Sequence, residues 1–478
     1  MSEQWYLRME AVNLCNFVYD TQDLSTIRGG GHILLSAVEE VAKEYKSFLE
    51  KISCGASVGL LAIKENKEAE DVVKEIRGFL ATDDDFKHAT FVVNAVKGTG
   101  ADNYRRDLER LMAANRCQQM RSPSYAVPSD NSSSTVCEVD LIRPAVLSDS
   151  KGLISRSTHK RREKGKENKR KEFYQKISGY EVKGSFVNEL DKLTGDSNNP
   201  LDHKMAVIYI DGNGFGKIQA DKCKNRTSHE NFDVYLSKKY SGLMHKILEY
   251  IDKDQNKTWL TQDSAYRLET LLWGGDERMW VVPAWKGWEL LQFFFDHTRD
   301  WIFEDRRLTH AAGIVFCHHK APIHRITALA RGLADQVKTV TRSRNAFAYQ
   351  ILESFDHVGR DLAGFRAERC PSGETTASLV IGGNNMGRIA EEIRKLQSSE
   401  FSTSRLHRIV SSLLATDEPS RVMADELIKE LKTEWSGSYS KAENTLDTLE
   451  PLLGGKRTMW AHLAELWNYI ASEEAATC

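Results

Sequence analysis

Apolar positions recur along this chain with two periods, one near two residues and one near 3.6, and their alternation predicts the architecture. Near the N-terminus WYLRMEAVNL reads as a strand, and HILLSAVEEVAKEYKSFLEKI carries apolar residues at helical spacing. SVGLLAIK reads as a strand, AEDVVKEIRGFLAT as a helix and HATFVVNAVKG as a strand. The order β-α-β-α-β predicts a small α/β unit over residues 1–115. Between 116 and 200 the periodicity lapses. SPSYAVPSDNSSST is turn-forming and KRREKGKENKRK, from Lys160 to Lys171, is strongly basic, so a connector is expected there.

Residues 201–360 repeat the theme more clearly. MAVIYID is a buried strand, followed by a helix that a polar insertion divides and that resumes at VYLSKKYSGLMHKILEYI. YRLETLLW and MWVVPAW are strands separated only by GGDER. GWELLQFFFDHTRDWIFED places Trp288, Leu291, Phe295 and Ile302 on one helical face. HAAGIVFCHH is a strand, Pro322 is placed to open the helix PIHRITALARGLADQVK, and FAYQILES closes as a strand. This β-α-β-β-α-β order is the ferredoxin-like unit. From 361 to 478 strands are scarce, and EEIRKLQ, SRLHRIVSSLL, ADELIKELKTEW and MWAHLAELWNYIA predict a helical domain. The fold class is therefore α/β (α+β), with two α/β units, a connector and a helical tail.

At 478 residues the chain exceeds what one hydrophobic core organises. With 41% hydrophobic and 28% charged residues it is too apolar to be largely disordered. A net charge of −2 excludes polyanion binding driven by overall charge and leaves only a local patch. The Lys160–Lys171 stretch reads either as a solvated face or as a nucleic-acid or phosphate contact. No run approaches the roughly 18 apolar residues of a membrane span. The start MSEQWYLRME lacks a basic region leading into an apolar one, and the eight cysteines contain no CxxC pair. A cytoplasmic, reduced protein with no membrane partner is expected.

Two segments carry candidate chemistry. Ile210-Asp211-Gly212-Asn213-Gly214-Phe215-Gly216-Lys217 closes a buried strand and opens a helix. Its glycines allow a tight turn and close ligand approach, and the helix mouth suits a triphosphate. Asp211 closes an otherwise apolar strand and needs a partner such as a metal; Lys217 offers a phosphate a point charge. Gly274-Gly275-Asp276-Glu277 forms the tip of a tight hairpin. Either segment alone is also an ordinary glycine turn. A ferredoxin-like sheet, however, sets this hairpin beside the end of the first strand, so Asp276 falls next to Asp211. Carboxylates converging there would hold two Mg²⁺ or Mn²⁺ ions and serve phosphoryl transfer onto a ribose hydroxyl.

YIDGNGFGKI and WGGDERMWVVPA together resemble the palm domains of nucleotide cyclases and polymerases. The likeness is closest to the second palm of the polymerase-like large subunit of type III CRISPR complexes. HAAGIVFCHHKAPIHRITALARGLADQVK, TIRGGGHIL and CEVDLIRPA resemble further parts of that family. The resemblance implies a degenerate first palm at 1–115, a connector at 116–200, a catalytic palm at 201–360 and a helical domain at 361–478. It implies Asp211, Asp276 and Glu277 as catalytic metal-binding acids, with the Ile210 carbonyl as a further metal ligand. It implies Gly212, Asn213, Gly214, Phe215 and Gly216 as the nucleotide cradle with Lys217, Gly274 and Gly275, and Lys338 as the helix-end lysine that meets the triphosphate. Arg344 and Asn345 lie where related cyclases have an Arg-Asn pair.

The implied activity is conversion of ATP into a cyclic or short oligoadenylate messenger in antiviral defence. The implied partners are nucleoside triphosphates and RNA or RNA-guided complex subunits; a homo-oligomer is also compatible. The alternative is a non-catalytic palm scaffold in an RNA-binding complex. The sequence departs from the family in four respects. Glu277 replaces a second aspartate, and Arg278 replaces the Phe of diguanylate cyclases. No His-Asp doublet marks an HD nuclease domain, and the connector's cysteine cluster is reduced to Cys117 and Cys137. Ser53-Cys54-Gly55-Ala56-Ser57 falls where the first palm's hairpin should be, without a carboxylate. That palm is expected to cradle an acceptor nucleotide, with Arg28 to Gly31 meeting its phosphates.

Overall fold

The computed structural model describes every residue except 1–3, 56, 65–66, 122–134, 197–198, 255–256, 354–357, 359–360, 372, 399–402, 416–417, 435–438 and 471–478. The first unit runs β1 (Trp5–Val12), α1 (Leu24–Glu44), β2 (Leu49–Gly55), β3 (Val58–Ile63), α2 (Ala69–Thr82) and β4 (Thr90–Lys97). Its antiparallel sheet has the order β2-β3-β1-β4. Strand β2 departs from expectation, because SFLEKI reads as the end of a helix. Leu49 and Ile52, three residues apart, imitate helical spacing, yet the segment pairs with β3 from Leu49↔Ile63 to Gly55↔Val58. The added strand gives this unit the same β-α-β-β-α-β order as the second.

Helix α1 also starts earlier than its apolar pattern suggests. Asp23 caps it, accepting a hydrogen bond from Thr26 N at 3.0 Å, and the TIRGGG segment lies within the helix. Arg28 to Gly31 are thus not a phosphate loop. Arg28 is buried and donates from Nε to Glu269 Oε1 at 2.8 Å. A Cβ on Gly29 would stand 1.7 Å from the Arg161 carbonyl oxygen, so the glycine is needed for helix packing.

The connector begins beyond α3 (Tyr104–Arg121) and holds the hairpin β5 (Leu147–Asp149) and β6 (Gly152–Ile154), then α4 (Arg156–Lys164), α5 (Glu167–Ser178) and α6 (Leu190–Thr194). Helix α4 lies directly on α1. The basic stretch is therefore not simply a solvated face: Arg161 and Arg170 are buried, paired with Asp20 at 2.6 Å and Glu269 at 3.0 Å. Cys137 is buried with its thiol beside Thr158 and Asp140, while Cys117 is exposed on α3; both are free.

The second unit comprises β7 (Lys204–Gly212), α7 (Phe215–Lys222), α8 (Arg226–Asp252), β8 (Glu269–Gly274), β9 (Glu277–Pro283) and α9 (Ala284–Thr298). It continues with the small hairpin β10 (Ile302–Phe303) and β11 (Arg306–Arg307), then β12 (His310–His318), α10 (Ile323–Val340) and β13 (Ala346–Ile351). The polar insertion between α7 and α8 contains a capping box, with Asn225 and Ser228 satisfying each other's backbone N–H groups. After α11 (Leu362–Glu368), the short β14 (Ile381–Gly382) completes a sheet of order β14-β13-β12-β7-β9-β8. Helices α12 (Met386–Gln397), α13 (Thr403–Leu414), α14 (Glu418–Glu434), α15 (Tyr439–Leu449) and α16 (Lys456–Leu466) form the tail.

Strand β7 is buried on both faces, as its unbroken apolar run requires. Met205, Val207 and Tyr209 join a core containing Leu7, Met9 and Val38 of the first unit. Ala206, Ile208 and Ile210 join a second core with α8, α9 and the helical tail. The period of two along this strand thus ties the two units and the tail together. Among the described residues no helix is long and apolar enough to cross a membrane.

Candidate active site

The carboxylates converge where β7 ends and the β8–β9 hairpin turns. Strands β7 and β9 are neighbours with Ile210 opposite Arg278, so each strand delivers its acid to the same edge. Gly274 pairs with Glu277, leaving Gly275 and Asp276 as a two-residue turn, with Gly275 at φ +54°. A Cβ on Gly212 would stand 2.8 Å from Asp276 Oδ2 and 2.6 Å from the Phe215 ring. Only glycine lets the hairpin tip close onto the end of β7. At the same edge Gly214, at φ +67°, turns the chain into α7.

Burial dominates the electrostatics. The Asp276 carboxyl is pushed up to about 6, first by desolvation and then by the neighbouring Asp211 charge. Burial also raises Asp211, although its Oδ2 accepts from the Lys338 ammonium, which reaches in from the last turn of α10. Glu277 accepts a hydrogen bond from the Tyr209 hydroxyl, which lies 3.4 Å from Asp211. Among the described residues no cation pairs with Asp276, and the three acids do not form a trio with all donor atoms within 4.8 Å. The site therefore brings Asp211 and Asp276 together, while Glu277 leans toward Tyr209.

The remaining predicted residues divide by orientation. Gly216 and Lys217 are exposed at the mouth of α7, free to meet a ligand. Asn213 and Phe215 face inward. Asn213 Nδ2 donates to Thr309 Oγ1 at 3.1 Å and to the Arg344 carbonyl at 3.3 Å, and Phe215 packs 5.4 Å from the His310 ring. These two shape the cradle from beneath. Ile210 is buried in the ladder between Arg278 and Ala312. Asn345 is buried and accepts from His310 N at 2.8 Å, whereas Arg344 is exposed.

Two residues that hold the site carried no clear sequence signal. Arg278 lies fully buried between the rings of Tyr240 and Trp273, 3.7 and 4.2 Å from their centroids. From there Nη1 donates to the carbonyls of Gly274 and Gly275 at 3.0 Å and of Glu277 at 2.6 Å. It thus fastens the hairpin from inside. Tyr209 reads as one more apolar position of β7, although its distance of two residues from Asp211 puts both on one face.

The hairpin of the first unit stands opposite. A Cβ on Gly55 would lie 3.5 Å from Gly275 Cα, and Cys54 N donates to Asp233 Oδ1 at 3.1 Å. Ala56 of the expected first-palm hairpin lies outside the described residues. Two cavities flank this contact. One of about 540 Å³ is lined by His32, Tyr240, Trp273 and Gly274, and one of about 310 Å³ by Arg8, Phe215, Gly216 and Asp276.

Residues 204–348 match the family model for the second palm domain of Cas10/Cmr2. A comparison with curated proteins found no match. Among solved structures, a Csm1–Csm4 cassette in complex with pppApA aligns with 98% of this chain and 70% of its own, at 13% identity and a TM-score of 0.60. A cassette with cA4 covers the same shares at 13% identity and a TM-score of 0.59. Csm1 of T. onnurineus does so at 12% and 0.59. At such identities the likeness is one of fold. Residues 204–348 are thus matched to the second palm domain of the Cas10/Cmr2 family, in a chain whose fold is that of Csm1, the Cas10 protein of type III CRISPR complexes.

Proposed function

We propose that this protein is a metal-dependent nucleotidyltransferase that joins ATP, 3′ to 5′, into a cyclic or short linear oligoadenylate messenger, with release of pyrophosphate, in CRISPR-like antiviral defence. The observation that carries this reading is the closure of Asp276 onto the end of β7 beside Asp211, at a glycine-lined helix mouth. Structural neighbours crystallised with pppApA, cA4 and AMPPNP support it. The Csm1–Csm4 pairing of those structures supports a place in an effector complex. Residues 1–115 and 201–360 act in this reading as an acceptor palm and a catalytic palm, joined by the connector and backed by the helical domain at 361–478.

The acids fit a divalent cation. Asp276 is buried beside a second carboxylate with its own charge disfavoured, and the Lys338 ammonium already neutralises Asp211. Asp211 and Asp276 would hold Mg²⁺ or Mn²⁺, with Glu277 and the Ile210 carbonyl as the further ligands that the resemblance implies. The ion supplies charge neutralisation and a more acidic ribose hydroxyl. The chain's own residues do the rest. Gly214 and Gly216 admit the triphosphate close to the backbone, and Lys217 and Lys338 offset its charge. The ribose 3′-oxygen of one ATP bonds to the α-phosphorus of another, and the bond to pyrophosphate breaks. Arg278 keeps the hairpin, and hence Asp276, in register throughout.

Pyrophosphate release from ATP with Mn²⁺ or Mg²⁺ tests this reading. Asp211→Ala and Asp276→Ala are each expected to lower the rate by at least about 100-fold with an unchanged circular dichroism spectrum. Wild-type rates in both variants would overturn the assignment.

A further inference from the structure

At the opposite end of β7, a second group of donors has no part in the palm chemistry. The β7–β12 ladder ends with His318 opposite Lys204. One step beyond it, His203 faces His319, and His319 N donates to the His203 carbonyl at 2.9 Å. Helix α6 brings Asp191 against the pair. Its Oδ1 lies 3.2 Å from His203 Nδ1 and 3.3 Å from His319 Nε2. Among the described residues this is the one trio of histidine, cysteine or carboxylate donors lying within 4.8 Å of one another.

The far nitrogens of both rings face acceptors as well. His319 Nδ1 lies 3.1 Å from the His203 carbonyl oxygen, and His203 Nε2 lies 3.5 Å from Asp202 Oδ2. The two imidazoles thus make four contacts to three acceptor atoms, Asp191 Oδ1 being shared, whereas two neutral imidazoles carry only two N–H groups. With those protons on the outer nitrogens, two unprotonated ring nitrogens and a carboxylate oxygen lie within 4.8 Å of one another. A divalent cation between them would be bound by all three donors.

We infer that a divalent transition metal of the zinc class binds here through His203 Nδ1, His319 Nε2 and Asp191 Oδ1. Ligands of a tetrahedral zinc ion, each ~2.1 Å from it, stand about 3.4 Å apart, close to both separations from Asp191. The outer contact of His319 Nδ1 with the His203 carbonyl is the kind that fixes ring tautomer and orientation in histidine metal sites. His203 holds φ +60°, a left-handed conformation uncommon outside glycine and tolerated best by asparagine and aspartate. The hydrogen bond from His203 N to the Thr194 carbonyl at 3.1 Å keeps the residue against α6 in that conformation. The fourth ligand position is left to water or to a ligand from the adjoining cleft of about 990 Å³, which Asp191, His319 and His324 help to line. Imidazole donors favour zinc or cobalt over magnesium, so this site and the palm acids select different ions.

The test is calorimetric titration of the chelator-treated full chain with Zn²⁺, in excess Mg²⁺ to occupy the oxygen-only sites. One equivalent is expected to bind the wild type. Asp191→Asn and His203→Asn, the latter compatible with the left-handed backbone, are expected to bind at least ~10-fold more weakly. Co²⁺ substitution is expected to give tetrahedral visible absorption bands in the wild type that both variants lose. Absence of stoichiometric binding, or equal affinity in all three proteins, would overturn the inference. Retained folding by circular dichroism makes the variants comparable.

Discussion

Asp276 is the residue at which stability and chemistry oppose each other most directly. Its folded value of about 6 exceeds the ordinary 3.8, so the folded state holds this proton more tightly than the unfolded one. The metal-free protein is therefore unpenalised below about pH 4, loses stability as pH rises toward 6, and carries the full cost above it. Asp276→Asn removes that cost. In urea titrations with chelator it should be more stable than wild type by about 1–3 kcal/mol at pH 7.5, with the gain gone at pH 4. An equal or lower stability at pH 7.5 would contradict the account of this carboxyl. Arg278→Met should lose about 2–4 kcal/mol, because three hairpin carbonyls lose their donor; a change within ~0.5 kcal/mol would show the clamp to be dispensable. The juxtaposition of Asp211 and Asp276 was legible in sequence because a ferredoxin-like order sets the β8–β9 hairpin beside the end of β7. Tyr209 and Arg278 were not, since a tyrosine in a buried strand reads as core and an arginine after a turn reads as surface.

Elements were legible where one period ran long and unmixed, as in β7, α10 and β12. They were missed where two patterns overlap. Leu49 and Ile52 imitate a helix in what folds as β2, and the glycines of α1 conceal its first two turns. Those glycines make the packing of α1 on α4 testable. A Cβ on Gly29 would collide with the Arg161 backbone, whereas one on Gly78, within α2, meets nothing within 4 Å. Gly29→Ala should destabilise the protein by roughly 2 kcal/mol or more, and Gly78→Ala should stabilise it by about 0.5–1 kcal/mol. Thermal denaturation of the two variants side by side reads both signs; a tolerated Gly29→Ala would contradict the close approach. The basic stretch carries a similar lesson. Its charge is conspicuous in the sequence, but several of the acids it meets, among them Asp20, Asp85 and Glu269, lie far away along the chain.

Across the whole molecule, the two ferredoxin-like units share a core, and Glu269 of the second pairs with Arg28 of the first and Arg170 of the connector. Glu269→Gln would take the carboxylate charge from the buried Arg28 guanidinium, and from its contact with Arg170, and should cost about 3–5 kcal/mol. The units should nonetheless unfold in one transition; two separated transitions would show that the common core does not couple them. This union sets the carboxylate hairpin against the hairpin around Gly55, and the proposed chemistry depends on it. The most direct test is mass spectrometry of products after incubating the purified protein with ATP, GTP, CTP, UTP and Mn²⁺ or Mg²⁺. A cyclic or short linear 3′–5′ oligoadenylate, absent with Asp276→Ala, is predicted. ATP bound by the wild type yet left unconverted, or equal yields from wild type and variant, would contradict the account.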